Sequence, residues 1–166
     1  RIYRGTVNGP QTINILKMKQ NSGLEIRPAL AKDQIIGLEK VSAISNRHQA
    51  LAAVNASYFI SNGQPLGLLI FANQLLIEPY REANNALWSA LALTRDGKMI
   101  IDKVDFHGGI LNINGLEYKA NGINRQRNAD EIIIYTPQFN KTTLTNEYGW
   151  EWIVQNGVIT GTNTAN

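Results

Sequence analysis

The chain of 166 residues has the length of one ordinary domain, and its 43% hydrophobic residues are enough to form a core. The net charge of +3 is small, the basic cluster "NRQR" at 124–127 is short, and no apolar run approaches the ~20 residues of a membrane-spanning helix. Nucleic-acid binding and a membrane span are therefore not expected. The absence of cysteine excludes disulfides, thiolate metal ligands and a cysteine nucleophile.

Asn-Gly and Asp-Gly pairs recur along the chain and predict tight turns between short strands, because both residues of such a pair tolerate positive φ. The pairs lie at 8–9, 62–63, 96–97, 114–115, 121–122 and 156–157. The pairs at 96–97, 114–115 and 156–157 have β-type sequence on both sides, so each predicts a hairpin. Alternation over 12–18 predicts a half-buried strand, and "EIIIYT" (131–136) predicts a strand buried on both faces.

One segment interrupts the β pattern. Ile44, Leu51 and Val54 fall near helical spacing with alanines beside them, and Ser42 or Ser45 would cap the start. We predict one main helix over about 42–54, which leads into a strand at 52–59, and a second short helix near 81–87. The chain is thus predicted to be a single α+β domain over 1–166, with a strand-rich mixed sheet, several hairpins and one main helix.

Metal and nucleophile motifs are weak in this sequence. His48 and His107 lie far apart in the chain, and His48 has no carboxylate partner at helical spacing. The sequence has no G-x-S-x-G elbow, phosphate-binding loop or dinucleotide glycine pattern. We therefore predict no metal site and no cofactor.

Two charged residues in the second half suggest a site. Arg127 precedes the predicted strand 131–136, where its guanidinium could bind a phosphate or carboxylate, or could pair with Asp130 or Glu131 on a solvated loop. Glu151 lies between Trp150 and Trp152. Either it faces water while the tryptophans face the core, or it lies in an apolar wall suited to proton transfer.

Over nearly its whole length the chain resembles the first half of the domain of the phosphodiester glycosidase family, which includes the uncovering enzyme that removes N-acetylglucosamine from mannose-6-phosphate tags. Members of that family have a helix, an apolar strand ending in Asn-Gly-Gly-Phe/Tyr-Phe, a turn, a proline and Pro-x-Gly. The matching residues here are Asn55, Tyr58, Phe59, Pro65 and Gly67, with Ala56 and Ser57 in place of the two glycines.

Later motifs follow in the same order as in the family. They are the Asn-x-x-Arg of 124–127, "EIIIYTP" at 131–137, the threonines of 142–145 and the Gly-x-Glu of 149–151. The family domain continues with another arginine and an Asp-Gly-Gly-Gly-Ser-type strand end, which this sequence lacks. The chain starts at Arg1 without a signal-peptide pattern, so we expect a processed product that corresponds to the N-terminal part of the family domain.

The resemblance implies a glycosidase that hydrolyses sugar-1-phosphodiester bonds in exported polysaccharide or glycoconjugate, in an extracellular or periplasmic location. It implies catalytic roles for Arg127, at the phosphate, and for Glu151, and substrate-binding roles for Asn55, Tyr58, Asn124 and Thr145. A second chain or a further C-terminal segment would complete the domain. The alternatives are a non-catalytic carbohydrate- or cell-wall-binding module and a structural domain in which these residues satisfy buried groups.

Overall fold

A computed structural model of the protein describes residue 9, residues 15–19 and residues 22–164, with the side chain of Thr164 excluded. Ten short strands lie within these ranges, together with a 3-10 helix at Ala31–Asp33 and the helix α1 at Val41–Arg47. The strands are β1 Leu69–Phe71, β2 Gln74–Ile77, β3 Ser89–Leu93, β4 Met99–Lys103, β5 Ile110–Ile113, β6 Leu116–Lys119, β7 Gly122–Ile123, β8 Ile133–Ile134, β9 Trp150–Gln155 and β10 Val158–Thr164. The prediction of a strand-rich α+β chain with one main helix is confirmed.

The ten strands form five separate two-stranded sheets rather than one mixed sheet. Four pairs are antiparallel, and β7 pairs with β8 in parallel. The three predicted hairpins are β3/β4, β5/β6 and β9/β10. In the β5/β6 turn, Asn114 and Gly115 have φ values of 53° and 83°, which is the conformation that favours an Asn-Gly pair in a two-residue hairpin turn.

The helix α1 is shorter than predicted and ends at Arg47 instead of Val54. Gln49 has a φ of 52°, the Gln49 N–H donates to the Asn46 carbonyl, and the Ala50 N–H donates to the Ser45 carbonyl at 2.9 Å. This bonding pattern is a Schellman motif, which satisfies the last helical carbonyls and turns the chain away from the axis.

The residues around α1 differ from the prediction as well. Neither serine caps the start: the N-cap is Lys40, with no side-chain cap bond, and the Ser45 hydroxyl donates to the Ala50 carbonyl at the other end. Leu51 and Val54, which the predicted helix included, lie beyond the end of α1 and are 84% and 82% exposed.

Three other predicted elements are replaced by irregular structure. The segment 52–59 contains no strand, and only an isolated bridge joins Phe59 to Pro65. The segment 81–87 is not helical, because a bridge between Arg81 and Leu87 closes it into a loop. Of the predicted strand at 12–18, residues 12–14 lie outside the described residues and 15–18 are exposed without strand structure.

The predicted strand 131–136 is reduced to β8, which is half-buried rather than buried on both faces. Its partner β7 is only two residues long, and the Thr136 N–H donates to the side-chain oxygen of Asn124 instead of to a strand carbonyl. The Asn124 amide thus ends the ladder.

A small core joins the segment after the 3-10 helix to the β1/β2 pair and the segment after β8. Its buried members are Ile35, Leu76, Ile77 and Phe139. The Ile35 N–H donates to the Gln138 carbonyl at 2.7 Å, so backbone hydrogen bonds hold the two outer segments together.

Apolar side chains on the hairpins remain exposed. Leu91 and Ile101, which face each other across β3/β4, are 62% and 75% exposed, and Trp150 on β9 is 73% exposed. Within the described residues, neither helical segment has the length or hydrophobicity to cross a membrane.

Candidate functional site

Arg127 lies in the loop between β7 and β8, half-buried, and is held by neutral acceptors. Its Nη2 donates to Asn146 Oδ1 at 2.8 Å and to the Tyr148 carbonyl. Gly149 makes this approach possible, because a Cβ at that position would lie 3.1 Å from Arg127 Nη2. Among the described residues no carboxylate forms a salt bridge with Arg127, so its positive charge is available to an anion.

Glu151 lies on the face of β9 opposite to its neighbouring tryptophans and is half-buried. Its Oε1 accepts hydrogen bonds from the hydroxyls of Thr143 and Thr145, the latter at 2.8 Å. The tryptophans do not face a core: Trp150 and Trp152 are 73% and 40% exposed. The structure therefore rejects the interpretation in which the indoles are buried and the carboxylate faces water.

The structure brings Arg127, Glu151 and Thr145 into one neighbourhood. Arg127 bonds to the carbonyl of Tyr148, three residues before Glu151 in the chain. Burial raises the pKa of the Tyr135 phenol, the charges of Arg127 and Arg125 lower it, and those of Glu151 and Glu131 raise it. Arg127 and Glu151, each bonded to neutral groups, therefore belong to adjoining segments, which the bond from Arg127 to the Tyr148 carbonyl joins.

Arg125 differs from Arg127 because carboxylates neutralise it. Its Nε donates to Glu78 Oε1 at 2.7 Å, and its two terminal nitrogens form a bidentate pair with Glu131 at 2.7 and 2.9 Å. Glu78 also accepts a hydrogen bond from the Ile123 N–H. Arg125 therefore ties the segment after β2 to the loop that carries Arg127.

The Arg125 pair predicts a loss of stability in acid. The hydrogen bonds from Arg125 lower the pKa of Glu131 from 4.5 to about 2. A lowered folded-state pKa stabilises the protein above pH 4.5, and this contribution is lost as the pH falls towards 2. We expect Glu131→Gln to cost about 1–2 kcal/mol at pH 7, after allowance for solvent screening, and to flatten the pH dependence of the unfolding free energy.

Denaturant unfolding at pH 7, 4.5 and 3 measures this effect. Glu117→Gln, at an exposed position on β6, is the matched control and should follow the parent protein at each pH. An equal acid sensitivity in the parent protein and in Glu131→Gln would show that the pair does not contribute.

Asn124, predicted to bind substrate, is fully buried and bonded within the protein. Its Nδ2 donates to the Leu76 carbonyl and to Thr136 Oγ1, both at 2.9 Å, and its Oδ1 accepts from the Thr136 N–H at 2.8 Å. Asn124 therefore positions the loop that begins with it and does not face an open surface.

Because Asn124→Ala leaves buried partners unsatisfied, we expect a loss of about 2 kcal/mol in the free energy of unfolding. Urea titration measures the loss, with Asn128→Ala, at an exposed position of the same loop, as the control. Equal midpoints for the two variants would contradict a structural role for Asn124.

Asn55 and Tyr58 lie on a different segment. Asn55 is exposed, and its side chain forms no hydrogen bond with the part of the chain that the structure describes. Tyr58 is 75% exposed and packs edge-on against Trp88, with ring centroids 5.7 Å apart. No described contact joins either residue to Arg127 or Glu151. The link between the segments is instead a bond of 3.3 Å from Gln64 Nε2 to the Asn124 carbonyl.

A cleft of about 450 Å³ opens beside this link, and none of the predicted site residues lines it. Its walls are residues 64–67 and 77–81, with Asp105, Phe106, Asn121, Ile123 and Arg125. Sequence reasoning missed Glu78, Arg81 and Asp105. The one signal for the cleft was the Pro65 and Gly67 motif, because both residues lie in its wall.

Within the described ranges, no group of three or more histidine and acidic side chains could hold a metal ion. Comparisons with protein families, curated proteins and solved structures found no significant match.

Proposed function

We propose that the chain is part of a hydrolase of sugar-1-phosphodiester bonds. The observation that carries this proposal is the pair of charges at Arg127 and Glu151, which lie on adjoining segments and are bonded to neutral groups rather than to counter-charges. An enzyme that acts on an anionic ester needs an unneutralised cation for the phosphate and a carboxylate near the sugar. The motif order that resembles the phosphodiester glycosidase family supports the same assignment.

The proposed reaction needs little help with proton transfer to the leaving group, since a phosphate monoester leaves as an anion. Arg127 binds the phosphate through its planar donors, which stabilise the charge that develops on the departing oxygen. Glu151 stabilises the positive charge on the sugar or activates the attacking water. Thr145 and Thr143 fix the carboxylate by donating to one of its oxygens.

In this proposal Asn124 has a different role from Asn55 and Tyr58. Asn124 acts as a positioning residue, since its amide is bonded within the protein and begins the loop that carries Arg127. Asn55 and Tyr58 are exposed and remain proposed contacts of the sugar portion, which rests on their match to the family motif.

We also propose that further protein completes the domain, either a second chain or another segment of the gene product. Isolated two-stranded sheets are marginally stable in water, and here four of the five carry exposed apolar side chains. An extracellular or periplasmic location accompanies the proposed substrate, which is an exported polysaccharide or glycoconjugate.

A carbohydrate-binding module without catalysis is the second candidate. It is favoured by the exposed rings of Tyr58, Trp150 and Trp152, because aromatic side chains with open faces are common in sugar-binding sites. Such a module would bind glycans without hydrolysing them, so a turnover assay separates the two functions.

The test is hydrolysis of methyl N-acetylglucosamine-1-phosphodiester by the full-length gene product, followed by ³¹P NMR. We expect the free phosphate monoester to accumulate, and Glu151→Gln to lower the rate about 10²–10⁴-fold. Glu147→Gln, at an exposed position four residues earlier, is the control and should keep the parent rate. Glycan binding with no turnover in the parent protein would favour the module.

A further inference from the structure

The cleft lined by Arg125 differs in its chemistry from the proposed catalytic residues. Its volume of about 450 Å³ is within the range of sites for small molecules. Arg125 joins the two sites, because it lies in the cleft wall and is two residues from Arg127.

The charges in the cleft wall cancel. Arg81 pairs with Asp105, and Arg125 pairs with Glu78 at 2.7 Å. The wall therefore has two positive and two negative side chains, each in a salt bridge. The Arg81 hydrogen bond lowers the pKa of Asp105, which keeps that carboxylate ionised at neutral pH. A phosphate entering the cleft would have to displace a carboxylate from either arginine, whereas hydroxyl groups could bond to the paired groups without breaking them.

An aromatic ring lines the same cleft. Tyr80 is 36% exposed and packs against Trp88, with ring centroids 4.6 Å apart, and Trp88 Nε1 donates to Glu82 Oε1 at 2.9 Å. These contacts hold the tyrosine in place. Asn121 is also in the wall; its amide oxygen accepts a hydrogen bond from the Ile132 N–H at 2.8 Å, and its amide nitrogen is a donor. An ordered ring beside paired charges and an amide suits a pyranose, whose C–H face packs on the ring while its hydroxyls form hydrogen bonds.

We propose that this cleft binds a neutral sugar residue, one that carries neither phosphate nor carboxylate. This inference rests on the proposed function, of which it supplies the contact for the uncharged part of the substrate. The phosphate then binds at Arg127, which forms no salt bridge with the described residues, and the neutral sugar binds in the cleft, whose charges are paired.

Binding to the full-length gene product tests the assignment without any hydrolysis. The probes are neutral disaccharides of glucose, galactose, mannose and N-acetylglucosamine, with N-acetylglucosamine 6-phosphate as the charged comparison, and the readout is calorimetry. We expect at least one neutral disaccharide to bind, and Tyr80→Ala to weaken its binding about tenfold or more. Tyr118→Ala is the matched control, because Tyr118 is 38% exposed on β6 and lies outside the cleft wall.

A second variant tests the charge balance and does not depend on Tyr80. Asp105→Asn leaves Arg81 without its carboxylate, so the cleft should gain affinity for the phosphorylated sugar, whereas Asp102→Asn on β4 should not. Arg127→Ala should lower turnover about 10³-fold and keep the binding of the neutral disaccharide, which separates failure of this inference from failure of the proposed function. Absence of neutral binding at millimolar concentrations, or tighter binding of the phosphorylated sugar than of the neutral disaccharides by Arg127→Ala, would overturn the inference.

Discussion

Replacing Arg127 with alanine is expected to lower kcat/KM for a sugar-1-phosphodiester about 10³-fold, because the variant loses the one guanidinium of this loop that has no carboxylate partner among the described residues. The fold should survive the change, since Arg127 bonds only to surface groups such as Asn146 Oδ1 and the Tyr148 carbonyl. Turnover of the phosphodiester, measured beside thermal unfolding, tests both parts of this expectation.

Two further substitutions define what Arg127 does. Arg127→Lys retains the charge but not the planar set of donors, so it should recover only part of the lost rate. Arg95→Ala, in the exposed turn of β3/β4, removes one positive charge elsewhere and should have the parent rate. If Arg127→Ala hydrolyses the substrate at the parent rate, the guanidinium has no part in the reaction.

Gly63→Ala is expected to destabilise the protein by roughly 3 kcal/mol, the largest loss that we predict for any single substitution. Gly63 has a φ of 88°, and a Cβ there would lie 1.8 Å from the carbonyl oxygen of Gly37. The two segments are also joined by a hydrogen bond of 3.0 Å from the Gly37 N–H to the Asn62 carbonyl. Alanine must therefore push the turn away from the segment that carries the buried Ile35.

Gly115→Ala separates the steric cost at Gly63 from the cost of positive φ alone. Gly115 has a φ of 83° but no atom within 4 Å of an added Cβ, so alanine there should cost only about 1 kcal/mol. Chemical denaturation of the two variants gives the comparison. Similar losses for both would mean that the turn at 62–63 does not pack against Gly37.

The three hairpins could be predicted because each is encoded locally. In each of them the strands are joined by a short turn that contains an Asn-Gly or Asp-Gly pair, and the backbone preference of that pair agrees with the strands beside it. The end of α1 could not be predicted in this way. Gln49 adopts positive φ, which a glutamine rarely does, so the apolar spacing of Leu51 and Val54 suggested a helix that the backbone does not continue.

In the candidate site, too, features that depend on residues distant in the chain could not be predicted. Arg125 and Arg127 are equivalent in the sequence, two arginines in one basic tetrapeptide. What distinguishes them is that Glu131 forms its bidentate pair with Arg125, and that Glu78, which lies 47 positions earlier, reaches Arg125 through the fold. Asn124 was predicted to face substrate for the same reason: its burial depends on contacts with Leu76, 48 positions away.

The central claim is that carboxylates neutralise Arg125 and do not neutralise Arg127. The affinity for a phosphodiester, measured in a variant that hydrolyses it slowly, tests this claim most directly. In the Glu151→Gln background, the dissociation constant of methyl N-acetylglucosamine-1-phosphodiester should rise about tenfold or more when Arg127→Gln is added, and its dependence on salt should weaken. The same affinity with and without the Arg127 guanidinium would contradict the account, because the phosphate would then be bound elsewhere.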